Sequence, residues 1–97
     1  MEIEKRLDDN TLTVILRGRL DTSTAPSMER ETESLDNIEN LILDLEKLEY
    51  ISSAGLRIIL KLQKIMDIQG KMVVRNVSDY LKELFYMTGF NDILTIE

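Results

Sequence analysis

The chain has no cysteine and no histidine, and it contains one proline. Without cysteine, disulfides and thiol chemistry are excluded. Without histidine, the usual general base, the commonest neutral metal ligand and the Ser-His-Asp arrangement disappear together, so nucleophilic hydrolysis and zinc chemistry are not expected. No apolar run is long enough to span a bilayer, and no basic start leads into a signal-like hydrophobic segment. A soluble, cytoplasmic protein without membrane insertion is therefore expected. No Lys/Arg run offsets the formal charge of −6, which opposes attraction to phosphate backbones, so direct nucleic-acid binding is not expected either.

What is present fits one small domain. A length of 97 residues supports a single two-layer core but no deep interdomain cleft, which favours a binding or switching module over an enzyme. The segment IEKRLDDNTLTVILRG, residues 3–18, reads as a hairpin turning at Asp8, Asp9 and Asn10, with Leu12, Val14 and Leu16 alternating on one face. Thr24 is placed to cap a short helix whose first turn accommodates Pro26. Leu41, Ile42, Leu43 and Leu45 form a nearly continuous apolar run, predicting a central strand covered on both faces. A helix is expected from Ala54 to about Gln69, closed by a left-handed Gly70. KMVVR is a further short strand, Ser78 caps a last helix that stops at Gly89, and DILTI, residues 92–96, ends the chain as a strand. The order predicts an α/β fold: a mixed sheet of four to five strands with helices mostly on one face and parallel pairing through right-handed crossovers.

The stretch EYISSAGLRIIL, residues 49–60, concentrates the chemistry. It places paired hydroxyls where a buried strand hands over to a helix. Ser53 is expected at the N-cap, with Ala54, Gly55 and Leu56 in the first turn and their N–H groups outward. Capping alone accounts for one serine. The same helix start also suits a phosphate, because free N–H groups and the helix dipole favour an anion there. Gly55 fits either an open approach to the backbone or a close backbone crossing. Along the helix, Ile58, Ile59, Leu62, Ile65 and Met66 make a stripe wide enough to cover a sheet, and Arg57, Lys61 and Lys64 form a basic face. Leu56 and Leu60 lie outside the stripe's centre, suiting either a neighbouring helix or, with Arg57, a partner-binding surface beside Ser53. Met28, Met66, Met72 and Met87 are scattered as core fillers. No Gly-rich phosphate loop occurs, and the pairs Asp44 with Glu46 and Asp8 with Asp9 lack convergent ligand spacing. No metal, cofactor or catalytic residue is expected.

GRLDTSTA, residues 18–25, LILDLEKLEYISSAGLRIIL, residues 41–60, and the order of elements together resemble the STAS domains, and within them the bacterial anti-sigma factor antagonists. The resemblance covers essentially the whole chain, 1–97, as one STAS domain. It implies that an anti-sigma factor serine kinase phosphorylates a loop serine, here Ser53 with Ser52 as the alternative. The unmodified antagonist would bind that partner and free the sigma factor, and a phosphoserine phosphatase would reset the switch. Many members carry Asp immediately before the modified serine, where this chain has Ser52. The resemblance also carries the family's loop acid onto Asp21, with Thr22 beside it, where it would orient the hydroxyl or aid the kinase. The implied partner surface comprises Asp21, Thr22, Ser52, Ser53, Ala54, Gly55, Leu56, Arg57 and Leu60. The alternative reading is a constitutive STAS scaffold subunit of a transport or signalling assembly, in which Ser53 stays a helix cap.

Overall fold

The computed structural model describes residues 1–97. Strands β1 (Glu2–Asp8) and β2 (Thr11–Leu20) form the expected hairpin, pairing antiparallel from Glu2↔Arg17 to Asp8↔Thr11. Asp9 adopts a left-handed φ of 56° at the turn, a conformation that Asp and Asn tolerate better than most residues. Helix α1 (Ala25–Glu31) crosses over to β3 (Asn40–Ile51), and α2 (Ser53–Gln69) crosses over to β4 (Lys71–Arg75). Both crossovers return a parallel strand, giving the sheet order β1-β2-β3-β4. Helix α3 (Asp79–Thr88) and a 3-10 turn (Phe90–Asp92) complete the chain.

One continuous core of 24 buried apolar residues joins the sheet to all three helices, with Val14, Leu43, Met28, Ile59 and Phe85 fully buried in it. Strand β2 keeps one alternation, burying Leu12, Val14, Leu16 and Leu20 with half-buried Gly18 between the last two. Strand β3 does not. It buries Leu41, Leu43 and Leu45, then Leu48 and Ile51, and its register against β2 slips between Ile15/Arg17 and again between Gly18/Arg19. Each slip inserts an extra β3 residue, which changes the phase of the alternation and keeps the later apolar residues facing the core. Gly18 supports the second irregularity with a φ of 97°, a conformation that costs other residues more. The expected cover on both faces of β3 is not found: Ile42 and Asp44 are only half-buried, because the helices lie on the opposite face.

Three other local expectations change. DILTI does not form a strand but makes one parallel bridge, Val74↔Ile96, held by Val74 N donating to Thr95 O and Glu97 N donating to Val74 O, each at 2.8 Å. Gly70 is extended, with φ 174°, rather than left-handed. It is glycine for space, since a Cβ there would lie 2.0 Å from the Glu39 carbonyl oxygen. Gly89 does take the left-handed form, φ 80°, at the end of α3. Met28, Met66 and Met72 fill the core, whereas Met87 is exposed.

Candidate functional site

The carboxyl ends of β2 and β3 lie side by side, with Leu20 paired to Ile51. Two short connections leave from there, Asp21–Thr24 into α1 and Ser52 into α2. The N–H of Ser52 donates to Leu20 O at 2.8 Å, tying one connection to the other strand's end. Ligands and partners of open α/β sheets meet the molecule at such carboxyl ends, where loops project from a rigid base.

Asp21 builds its own loop. Its Oδ1 accepts from Ser23 Oγ at 2.7 Å, Ser23 N at 3.0 Å and Thr24 N at 3.2 Å. Thr24 Oγ1 accepts from Asp21 N at 2.8 Å and donates to Arg19 O at 2.8 Å, so Thr24 locks the turn instead of capping α1 with its side chain. The Ser23 hydroxyl bond, followed by the Ser23 and Thr24 backbone N–H groups, holds the Asp21 carboxyl below its ordinary value against an opposing effect of desolvation. No hydrogen bond joins Asp21 to Ser52 or Ser53. A turn-forming aspartate accounts for it, and the geometry does not place it to orient the Ser53 hydroxyl.

The cap falls on Ser52 and not on Ser53 as expected. Ser52 is the N-cap of α2, extended at φ −90°, ψ 175°, with its Oγ accepting from Gly55 N at 3.4 Å and its carbonyl accepting from Leu56 N at 2.9 Å. Ser53 is the first helical residue, exposed, and its hydroxyl makes no hydrogen bond within the chain. The expectation failed because either serine satisfies the residue-type rule for a cap; tertiary pairing of Leu20 O with Ser52 N fixes which one stays extended. The first turn of α2 carries no acid of its own to offset the positive end of its dipole.

Gly55 and Leu56 are buried, contrary to their assignment to a partner surface. A Cβ on Gly55 would sit 2.7 Å from Leu20 Cγ and 3.0 Å from Ile51 Cγ2. The glycine thus lets α2 start directly over the side chains of Leu20 and Ile51, a close approach to side chains rather than the backbone crossing expected. Leu56 joins the core at 9% exposure. Ala54 and Leu60 are half-buried, and Thr22 and Arg57 are exposed. Thr22, Ala54, Arg57, Pro26, Arg30 and Lys61 help line a groove of about 740 Å³ between α1 and α2.

Two bordering residues were not found by sequence reasoning. Arg19 stacks its guanidinium 4.2 Å above the centre of the Tyr50 ring, and its Nε lies 3.6 Å from Asp21 Oδ2. Gly18 hints at the β3 irregularity that pairs Arg19 with Tyr50, but which residues it brings together is visible only in the assembled sheet. Asp44 serves the fold, its Oδ1 accepting from Glu46 N and Asn76 Nδ2, both at 3.1 Å.

The STAS domain family model matches residues 2–97, from the first strand through the site to the last residue. The chain belongs to the STAS domain family. BtrV of Bordetella bronchiseptica is 34% identical over 91 residues, which are 91% of this chain and 78% of that protein. The anti-sigma-B factor antagonist of Listeria monocytogenes is 30% identical, covering 100% of this chain and 87% of its own. Among solved structures, the Bacillus cell fate determinant SpoIIAA in its phosphorylated form superposes with a TM-score of 0.78 at 16% identity, covering 99% of this chain and 91% of its own, a likeness of fold. No helix of this STAS domain is long and apolar enough to cross a membrane.

Proposed function

We propose that this STAS domain is an anti-sigma factor antagonist working as a binding switch rather than as an enzyme. Its unphosphorylated form binds an anti-sigma factor that is also a serine kinase, which releases the sigma factor. Phosphorylation of Ser53 ends the binding, and a phosphoserine phosphatase restores it. The observation that carries this reading is the division of labour at α2: Ser52 caps the helix, leaving Ser53 exposed with a hydroxyl that no structural contact uses. The scaffold alternative gives Ser53 only a capping role, and that role belongs to Ser52. The same geometry favours Ser53 over Ser52 as acceptor, since modifying Ser52 would sacrifice the cap. The name of the Listeria relative supports the antagonist role.

The switch follows from charge and volume. A phosphate adds about −1.5 to −2 charge and three strong acceptors at a helix start that tolerates an anion, so the domain stays folded. A partner surface shaped for a neutral hydroxyl then meets a bulky dianion that is costly to desolvate. The proposed contact surface comprises exposed Thr22, Ser53 and Arg57 with half-buried Asp21, Ser52, Ala54 and Leu60, and Gly55 and Leu56 support it from below.

Peptide mass spectrometry on protein isolated from its own cells, with and without phosphatase treatment, tests this directly. A phosphatase-sensitive phosphate on Ser53, absent in Ser53→Ala, is expected. Only unmodified protein across several growth conditions would overturn the switch and return the scaffold reading.

A further inference from the structure

Helix α2 buries Ile59, Leu62 and Met66 against the sheet, and its opposite side carries a stripe of cations and aliphatic residues. Arg57, Leu60, Lys61, Lys64 and Ile68 follow one another at helical spacing, within an arc of about 100° at about 100° per residue, and Ser53 falls inside the same arc one turn before Arg57. With Ile65 they line a shallow groove of about 360 Å³. Ile68 is 90% exposed, the most exposed of the molecule's large apolar side chains.

The charges of this stripe are unpaired. The five ion pairs of the molecule involve Lys5, Arg6, Arg17, Arg19 and Arg75, and none involves Arg57, Lys61 or Lys64. Glu29 and Glu33 line the adjoining α1–α2 groove with Arg57 and Lys61 but form no ion pair with them. Asp67, the one acid on α2, accepts from Gln63 Nε2 at 2.8 Å. A chain with a formal charge of −6 thus presents three free cations beside half-buried Leu60 and Ile65 and exposed Ile68, over roughly 16 Å of helix.

We propose that this face of α2 is a docking surface for an acidic amphipathic helix. The assignment extends the proposed function by naming the partner's chemistry, and rests on it only for the claim that the protein recognising Ser53 carries the helix. Glutamates at helical spacing would face Arg57, Lys61 and Lys64, and aliphatic residues beside them would cover Leu60 and Ile68. Helix-in-groove binding reads such i, i+3, i+4, i+7 anchors, and complementary charge governs orientation and encounter. An anionic membrane suits the face less well. Peripheral helices insert a continuous apolar face, whereas here Lys64 and Arg57 lie between Leu60 and Ile68, and the chain's overall charge repels anionic lipid.

The test uses the ¹⁵N-labelled full chain titrated with two synthetic helical peptides of about 18 residues, long enough to hold helix in water. One carries Glu and Leu on one face, and the other has every Glu replaced by Lys. The Glu peptide is expected to shift the amide signals of Arg57, Leu60, Lys61, Lys64 and Ile68. Binding should weaken about tenfold in Lys61→Glu/Lys64→Glu and fall again in about 0.5 M salt. Both substitutions are on exposed side chains, and circular dichroism confirms the fold.

Equal binding of the Lys peptide, shifts elsewhere or no shifts would overturn the proposal. So would the same signals moving with phosphatidylcholine–phosphatidylglycerol vesicles or with the chain's own concentration while the Glu peptide leaves them still. Absence of phosphate on Ser53 in cells would remove the switch and leave the peptide result standing, so the two failures are distinguishable.

Discussion

Helices α2 and α3 both begin on a serine N-cap, Ser52 accepting from Gly55 N at 3.4 Å and Ser78 accepting from Leu81 N at 3.2 Å. The next residue is neutral Ser53 in α2 and Asp79 in α3. Two positions further on, α2 has Gly55 pressed against Leu20, while α3 has fully buried Leu81. Helix α3 is therefore a finished structural start: cap, compensating acid, core anchor. Helix α2 has the cap and the packing but lacks the acid, and a phosphate on Ser53 would put negative charge where α3 already carries it. On that difference, a phosphate on Ser53 is expected to leave the fold intact.

The buried third positions should separate the two starts most strongly. Leu81→Ala should cost about 2–5 kcal/mol by removing a fully buried side chain, read from urea unfolding. Gly55→Ala adds a methyl where none fits, a steric cost of about 1–3 kcal/mol against a helix-propensity gain of up to about 1 kcal/mol. Net destabilisation is expected, and a stabilised variant would show that the contact with Leu20 relaxes freely.

Removing the caps should affect both helices alike. Ser52→Ala and Ser78→Ala should each cost about 1 kcal/mol, whereas Ser53→Ala should stay within about 0.5 kcal/mol. A Ser53→Ala cost matching that of Ser52→Ala would reverse the assignment of cap and free hydroxyl.

Exchanging the first helical residues should give small effects of opposite sign. Ser53→Asp should stabilise and Asp79→Ser destabilise by about 0.3–1 kcal/mol at low salt, with unchanged helix content in both. In a binding assay with an anti-sigma factor kinase, Ser53→Asp should bind more weakly than wild type; equal binding would end the electrostatic release model.

The smallest effect is expected beside α2, at Asp21. Its folded carboxyl titrates below the unfolded value, so its stabilising contribution is complete above the ordinary carboxylate range and is lost as the pH falls to the lowered folded value. Glu4, lowered by its bonds with Arg6 and Arg17, behaves alike. Urea midpoints compared at pH 6 and pH 3 should show a smaller acid loss in Asp21→Asn than in wild type. An identical loss would mean that Ser23 and Thr24 do not favour the charged form.

Local patterns carried the element order, because each depends on neighbours in the chain. The alternation of Leu12, Val14 and Leu16, the Ser78 cap and the left-handed Gly89 are all of this kind, and the STAS resemblance rested on contiguous segments. The misreadings cluster where one segment meets another. The half-bare face of β3, the single bridge at Ile96, the exposed Met87 and the burial of Leu56 all depend on which surfaces the helices cover. Gly70 shows the same limit: the helix stop was legible, but its reason is the Glu39 carbonyl from a distant part of the chain.

By itself, the sequence determined a mixed α/β domain without histidine or thiol chemistry, with two serines at a strand-to-helix junction, because composition and short-range periodicity are properties of the chain alone. Only the tertiary structure decided which serine is free, that Gly55 is a packing residue, and that Arg19 stacks on Tyr50. Those outcomes depend on the register of β2 against β3, set by two extra residues whose effect exists only once the strands pair and the apolar side chains choose a common face.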